Sequence, residues 1–575
     1  WWINGQKDEG LRAAHIQESG DPFMATMLRI YRQYELLCEQ LGVIDFAELL
    51  LRVLELWRNN PEVLGHYQQR FGHILVDEFQ DTNAVQYAWL RLLAGKNSDV
   101  TAVGDDDQSI YGWRGAKVEN ILSFERDFAD TETIKLEQNY RSTSNILKAA
   151  NAVIAKNADR LGKNLWTESG EGEPIALYAA FNEHDEARYI ADRLAAWASE
   201  GNRREDSAIL YRSNAQSRVL EAALLQAEIP YRIYGGQRFY ERLEIKNALC
   251  YLRMMLNCND DVAFERVVNI PPRGIGDRTL EQIRELSREA GCSLWDASTR
   301  MVEEKRLTAR AANAVSGFMV LINEMSGQLD ELPLSEQAEN AIQHSGLVDM
   351  HRREKGERGQ ARVENLEELV NACKNFEPED SGAPVLPQFL DQVALDAGDR
   401  QADQDEDAVQ LMTLHSAKGL EFPMVFLAGM EENLFPHKMS IDEPGRLEEE
   451  RRLAYVGITR AMQKLTMTFA ETRSTYGTES FNSVSRFIRD IPKDVVEEVR
   501  LHNSISRPTT YAGVTNSDEG SDTGFQLGQQ VRHNVYGDGI ILNFEGNGPR
   551  ARVHIAFDEV GTKILILASA NLVAI

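Results

Sequence analysis

Cysteine is scarce in this chain: five residues in 575 (Cys38, Cys250, Cys258, Cys292, Cys373), none in a CxxC pair or at zinc-ligand spacing. That excludes a disulfide framework and a cysteine metal cluster, and it fits a reducing, cytoplasmic setting. No stretch approaches the roughly 18 unbroken apolar residues that a membrane-spanning helix needs, which excludes an integral helical membrane protein. Basic charge is in deficit, 62 Lys and Arg against 90 Asp and Glu for a net charge of −28. A protein that coats nucleic acid by bulk electrostatics is therefore excluded, whereas a narrow basic or aromatic groove is not. The start, Trp1-Trp2-Ile3-Asn4, lacks both Met and the basic, apolar, small-residue order of a signal peptide, and the chain is expected to be a fragment of something longer.

What is present suffices for about four domains at roughly 150 residues each. The first seventy residues carry apolar positions at three- and four-residue spacing, through Met27, Ile30, Tyr31, Tyr34 and Leu37 and again through Phe46, Leu49, Leu50, Val53 and Leu54, which predicts helices. His73-Ile74-Leu75-Val76 before Asp77-Glu78 reads as a short buried strand ending in acids, and Val100 to Asp105 repeats the design. Such strands, spaced by helices, imply a parallel α/β sheet with its site along the polar edge. A second α/β pattern runs from about Glu137 to Gly235 and resumes at Val409, with strands at Ala208–Tyr211, Val409–Thr413 and Met424–Leu427. Between them the text is helical, as in a helical domain inserted into a sheet domain. Ser, Thr, Asn and Gly crowd residues 503–524, a flexible linker, and alternating strands with Gly turns follow, a small β-barrel.

Five blocks carry chemistry. In Leu75–Asp81, side chains at a strand end diverge, so Asp77 can hold Mg²⁺ through water while Glu78 addresses a water beside a γ-phosphate; an isolated Asp-Glu is more often a solvated loop. In Val103–Gly115, Gln108 offers an amide to a phosphate, while Tyr111 and Trp113, with Arg114 beside them, present surfaces for unpaired bases. A lone Tyr or Trp would more often be core, but three acids, a Gln, two aromatics and an Arg in one loop are hard to explain as packing. In Leu136–Thr143, Tyr140 can stack on adenine and Arg141 can reach phosphates across a cleft, although Asn-Tyr-Arg-Ser alone is more often a helix cap. Met412–Phe422 supplies Thr413 and His415 for a DNA backbone and Glu421 for a sugar hydroxyl. Glu449–Ala461 ends in Arg460, which can act as an arginine finger, whereas most helix arginines are solvated or paired, as Arg452 would be with Glu448.

In this order and spacing the blocks resemble the helicase motifs of the UvrD/PcrA/Rep group of superfamily 1 DNA helicases, over essentially the whole chain. The resemblance implies two RecA-like parallel-sheet domains with helical inserted domains and a Tudor-like C-terminal barrel. Its segments are 1–71, the end of a helical insertion in the first core domain; 72–137, the rest of that domain; 138–235 and 408–502, the second core domain; 236–407, its helical insert; 503–524, the linker; and 525–575, the barrel. It also implies ATP and Mg²⁺ as cofactors. Asp77 would bind the metal, Glu78 would be the base, Gln108 and Arg141 would contact the γ-phosphate, Tyr140 the adenine and Glu421 the ribose, with Arg460 the finger. Tyr111, Trp113, Arg114, Thr413 and His415 would line the path of single-stranded DNA, and the turn carrying Arg273, Gly274 and Gly276 would meet duplex phosphate at a junction. ATP-driven closure would move one strand 3′ to 5′, in repair and replication. RNA polymerase and repair proteins are the implied partners of the barrel, and the implied state is a monomer or weak dimer.

One departure is serious. This chemistry needs a phosphate-cradling G-x-x-x-x-G-K-[ST] loop, yet the Gly-Lys pairs are Gly95-Lys96-Asn97 and Gly162-Lys163-Asn164, and neither fits. The 575 residues alone are expected to hydrolyse ATP poorly or not at all. The competing class is an ATPase-inactive protein acting through DNA and polymerase contacts.

Overall fold

The computed structural model describes residues 2–499, except 19, 96–97, 129, 159, 330, 355–356, 379, 381, 399–405, 442, 476–477, and 530–574, except 535, 546–551, 558–560, 567–569 and 571. The linker expected at 503–524 lies outside the described residues. The chain forms two units, Trp1–Arg500 and Leu501–Ile575, each taken by itself.

After a short helix Trp2–Asp8 and a 3₁₀ turn Ala13–His15, the first lobe runs through helices Pro22–Leu41, Phe46–Asn59 and Pro61–Arg70. Asp21 and Asp45 accept the free N–H groups at two of their starts, and left-handed Gly42 ends Pro22–Leu41. The spacing that predicts helices overstates their burial: Leu28, Tyr31, Leu51 and Leu54 are core, whereas Ile30, Leu37, Phe46 and Leu49 face outward. Strands β1 (His73–Val76) and β2 (Asp99–Ala102) pair in parallel, His73 opposite Asp99 and Val76 opposite Ala102. The expectation that β1 is buried needs correction. Ile74, Val76, Val100 and Ala102 pack on Phe79, Tyr87 and Leu90, but Leu75 on the other face is 80% exposed. Among the described residues β1 and β2 pair only with each other, and the face that carries Leu75 is uncovered.

The second lobe is built on a seven-stranded sheet whose strands are β3 (Ile175–Ala180), β4 (Ser207–Tyr211), β5 (Tyr231–Ile233), β6 (Val409–Thr413), β7 (Phe422–Leu427), β8 (Ala461–Ala470) and β11 (Val496–Glu498), in the order β11-β3-β8-β7-β4-β6-β5. Every pairing in it is parallel. Strand β4 is buried throughout, because helices cover both faces and leave no solvated side to alternate with. Helices α1 (Ser144–Ile154) and α4 (Arg446–Ile458) lie on one face, α2 (Glu183–Ser199) on the other. Between β5 and β6 comes a domain whose described regular elements are all helical, among them α3 (Glu357–Lys374), with a core of its own around Tyr251, Phe264 and Phe318. The second unit is a five-stranded antiparallel sheet of Gln530–His533, Gly537–Glu545, Arg552–Phe557, Gly561–Ile566 and Val573–Ala574 around Val531, Val553, Ile555 and Phe557.

A hairpin, β9 (Thr472–Thr475) against β10 (Thr478–Phe481), is tied to the elements beside the sheet in part by one largely buried cation. Arg473 lies 2.6 Å from both Glu186 and Glu431. Burial alone would lower its pKa, but the two carboxylates raise it well above the ordinary arginine value. Arg473→Met strands two buried acids and is expected to cost about 3–5 kcal/mol in urea unfolding, part of it recovered by adding Glu186→Gln and Glu431→Gln. A cost under about 1 kcal/mol would show that water reaches the pair.

Candidate functional site

Where β1 ends, the backbone is forced into an uncommon shape. Glu78 takes φ 49°, a left-handed conformation that costs a side-chain-bearing residue free energy unless its surroundings hold it. They do. Asp77 accepts from the Glu78 N–H at 2.8 Å, the Phe79 N–H donates to the Val103 carbonyl at 3.0 Å, and the buried Gln80 amide donates to Glu78 Oε2 at 2.6 Å. Gln80 also accepts from the Asp105 N–H, and a Cβ on Gly104 would lie 2.7 Å from its oxygen, so only glycine fits there. Asp77 and Glu78 are thereby left exposed at the strand end.

The acids after β2 are engaged otherwise than the sequence suggests. Asp107 is gripped by Arg160 at 2.6 Å and Lys163 at 3.0 Å, Lys163 also pairs with Asp105, and Asp106 accepts from the Leu161 N–H at 2.9 Å. Burial pushes Asp106 up; it pushes Asp107 up as well, but Arg160 and Lys163 outweigh it and hold Asp107 below the usual carboxylate value. Packing between the lobes thus explains these three acids, and Lys163 of the second Gly-Lys pair is an interlobe tie. Gln108 donates to Asp105 at 2.6 Å.

Lys418, which the sequence reading leaves without a role, reaches from the second lobe to Asp81 at 2.6 Å, Glu78 at 3.2 Å and the Gln108 carbonyl at 3.1 Å, with its ammonium 5.3 Å from the Tyr111 ring centre. Asp81 is pushed up by burial, and its Oδ1 is buried with no hydrogen-bond partner among the described residues. The only sequence signal for Lys418 is a lysine among small residues just past a strand end.

Tyr111, Trp113, Arg114 and His415 form one cluster across the lobes. The Trp113 and His415 rings meet edge to face at 6.4 Å, Tyr111 Oη donates to the His415 carbonyl at 3.4 Å, and Arg114 lies over both aromatic rings at 5.0 and 4.6 Å. Thr413 Oγ1 shares a hydrogen bond with Ser416 at 3.0 Å and shapes the turn that carries His415.

A second group gathers where β7 and β8 begin. Arg141 donates to Glu421 at 2.5 Å, so the residues expected on phosphate and ribose are paired with each other here. Tyr140 is 80% exposed, its ring free to stack and its hydroxyl on Gln138. Arg460, expected as the arginine finger, has its guanidinium buried and donating to the Val456 and Leu420 carbonyls and to Thr459, and burial, with Arg141 nearby, pushes it down to about 10. Arg452 has no ion pair with Glu448 among the described residues; its neighbour Arg451 pairs with Asp490.

In the inserted domain the turn at Arg273 is only partly as expected. The Arg273 guanidinium turns inward, onto the Pro271 and Ser345 carbonyls and over the rings of Tyr251 and Phe318, because those partners outbid solvent. Gly274 and Gly276 remain exposed, with open space where a Cβ would stand.

Comparison with known proteins agrees with this layout. Residues 134–472 match the UvrD-like helicase C-terminal domain, residues 1–129 the UvrD/REP helicase N-terminal domain, and residues 527–571 the PcrA/UvrD tudor domain. DNA helicase II of Escherichia coli (strain K12) is 58% identical over 574 residues, which is all of this chain and 80% of that protein. The chain belongs to the UvrD-like DNA helicases. DNA helicase II of Haemophilus influenzae (strain Rd) is 51% identical over 100% of this chain and 79% of its own, and ATP-dependent DNA helicase PcrA of Bacillus subtilis (strain 168) is 43% identical over 94% and 76%. No helix described in this UvrD-like helicase is long and apolar enough to cross a membrane.

His415 of the helicase carries a test by pH. Burial first, then Arg212, push its pKa down to about 3, with Glu450 pulling the other way and Arg114 adding a smaller push. The unfolded chain binds this proton near pH 6.5 and the folded chain only near pH 3, so His415 costs stability as pH falls below the higher value, by about 1.4 kcal/mol per pH unit. The His415 ring resonances should not titrate between about pH 5 and 8; a midpoint in that range would show a solvated imidazole.

Proposed function

We propose that this chain works as an ATP-dependent 3′ to 5′ DNA helicase of repair and replication, moving on single-stranded DNA as two lobes close and open. One observation carries the reading: the strand-end acids Glu78 and Asp81 of the first lobe meet Lys418 of the second, and beside them an aromatic cluster of Tyr111, Trp113 and His415 joins both lobes.

The donor set fits a magnesium nucleotide in part. Asp77 is the exposed carboxylate for Mg²⁺, Glu78 is held to take the proton of the attacking water, and Gln108 and Arg141 address the γ-phosphate. Tyr140 offers its free ring to adenine, Glu421 the ribose contact, and Arg460 backs Arg141 from the buried side. Bound ATP would supply the leaving group and the closing force. The β- and γ-phosphate cradle does not fit, because the 575 residues contain no G-x-x-x-x-G-K-[ST] run. The pairing of Arg141 with Glu421 gives both groups a counter-charge until substrate separates them.

Tyr111, Trp113 and Arg114 with Thr413 and His415 form the single-strand path, working by stacking, which tolerates a net charge of −28 better than phosphate neutralisation would. The exposed Gly274 and Gly276 backbone suits duplex phosphate at a junction, with Arg273 shaping the turn from within. The tudor unit serves protein partners, RNA polymerase and repair proteins, in the cytoplasm, with the helicase a monomer or weak dimer. The missing phosphate loop favours a second reading, an ATPase-inactive protein that binds DNA and polymerase.

Single-strand-stimulated ATP hydrolysis separates the two. The 575-residue chain is expected to be inactive beside the same chain extended upstream to the start codon of its gene, and Glu78→Gln should abolish turnover by the extended form. If neither hydrolyses ATP, the binding reading replaces the motor.

A further inference from the structure

The turn that carries Tyr111, Trp113 and Arg114 is held by a residue of the opposite lobe to which nothing above assigns a task. The Gly112 N–H donates to Glu449 Oε1 at 2.9 Å. Gly112 is the first residue of the short 3₁₀ turn Gly112–Arg114, where a free N–H is to be expected and an acceptor is stabilising. A Cβ at Gly112 would stand 3.1 and 3.2 Å from the two Glu449 oxygens, so the carboxylate occupies the space that the glycine leaves. Gly112 is not among the residues with positive φ; its smallness therefore serves this approach and not the backbone.

Glu449 is also rigidly presented. It sits in the first turn of α4, whose neighbouring residues are pinned: the Glu448 carbonyl accepts from Asn157 at 3.1 Å, and buried Glu450 takes Arg212 at 2.6 Å and the His437 N–H at 3.0 Å. The Glu448 backbone and the Glu450 side chain are thus both engaged, and Glu449 between them reaches the aromatic turn.

We propose that Glu449 is a positioning residue for single-stranded DNA: through the Gly112 N–H it fixes the Tyr111–Arg114 turn so that Trp113 and Tyr111 are already placed when a strand arrives. Its role is that of an acceptor, since a carboxylate beside a phosphate path gains nothing by its charge. This rests on the cleft being a single-strand site. Pre-organisation of this kind lowers the ordering cost of binding, and loss of one ordinary hydrogen bond is of the size to alter affinity up to about tenfold.

The test is binding of a fluorescent oligo(dT) by the full 575-residue chain without nucleotide, with 2-aminopurine in the oligomer reporting base stacking. Glu449→Ala should weaken binding about tenfold and reduce the stacking signal, while Glu449→Gln, whose amide oxygen still accepts, should bind within about twofold of the parent. Gly112→Ala, which crowds the carboxylate from the other side, should copy Glu449→Ala, and the double variant should be no worse than either single one. Circular dichroism and thermal unfolding identify a variant that fails to fold; Glu449→Gln and Gly112→Ala then carry the test. Unaltered binding by Glu449→Ala, a Gln variant as weak as Ala, or additive losses in the double variant would each overturn the proposal. If the parent chain binds no oligo(dT), the reading of the cleft itself fails, an outcome distinct from parent binding that ignores Glu449.

Discussion

Two lobes meet here through carboxylates that cannot be buried alone. Asp107 is almost wholly shielded from water, and a shielded charge survives only beside a counter-charge with its remaining lone pairs occupied. Arg160 and Lys163 come from the other lobe to provide this, and Lys418 does the same for half-buried Asp81 while also reaching the exposed Glu78. The relative placement of Tyr111 and His415, and of Gly112 and Glu449, follows from that docking. Such pairs are poor sources of net stability, but separating them without replacement is costly. The interface is therefore defined in geometry and sensitive to whatever charge enters the cleft.

The same logic accounts for the arginines that turn inward. Arg473, Arg460, Arg212 and Arg273 are occupied by carboxylates, carbonyls or rings inside the protein. With 62 basic residues against 90 acidic ones, the surface is acidic on balance, and the proposed single-strand path relies on aromatic faces more than on bulk charge. A strand held mainly by stacking can be released one base at a time.

Much of the fold was legible because short apolar runs such as Ala208–Tyr211 and Val409–Thr413 become buried parallel strands wherever helices cover both faces. The misjudged strand, His73–Val76, shows the limit: an apolar run records what a strand can pack against, and only the tertiary structure says what is there. In the site, the strand-end acids and the aromatic loop were visible as local clusters. The partners of Asp105 to Asp107 were not, since Arg160 and Lys163 lie more than 50 residues away in a segment without a motif. Arg273 and Arg460 were placed in sequence but misdirected in space, because a guanidinium goes where planar acceptors and rings are dense, which no spacing rule encodes. Lys418 and Glu449 were inside quoted blocks, yet their targets are over 300 residues distant.

The inserted domain leaves the sheet at the end of β5 and returns at the start of β6, and those two strands are hydrogen-bonded neighbours, Tyr231 opposite Val409 and Ile233 opposite Leu411. Exit and re-entry are thus only about 10 Å apart, by the spacing of paired strands and the rise along them. An excursion of well over a hundred residues with its own core stands where the parallel pairing itself needs a crossover of only about a dozen residues. Gene rearrangement can therefore trim, enlarge or exchange that excursion as a cassette while the parent sheet keeps its strand order, so diversity among such motors can accumulate there without disturbing the cleft.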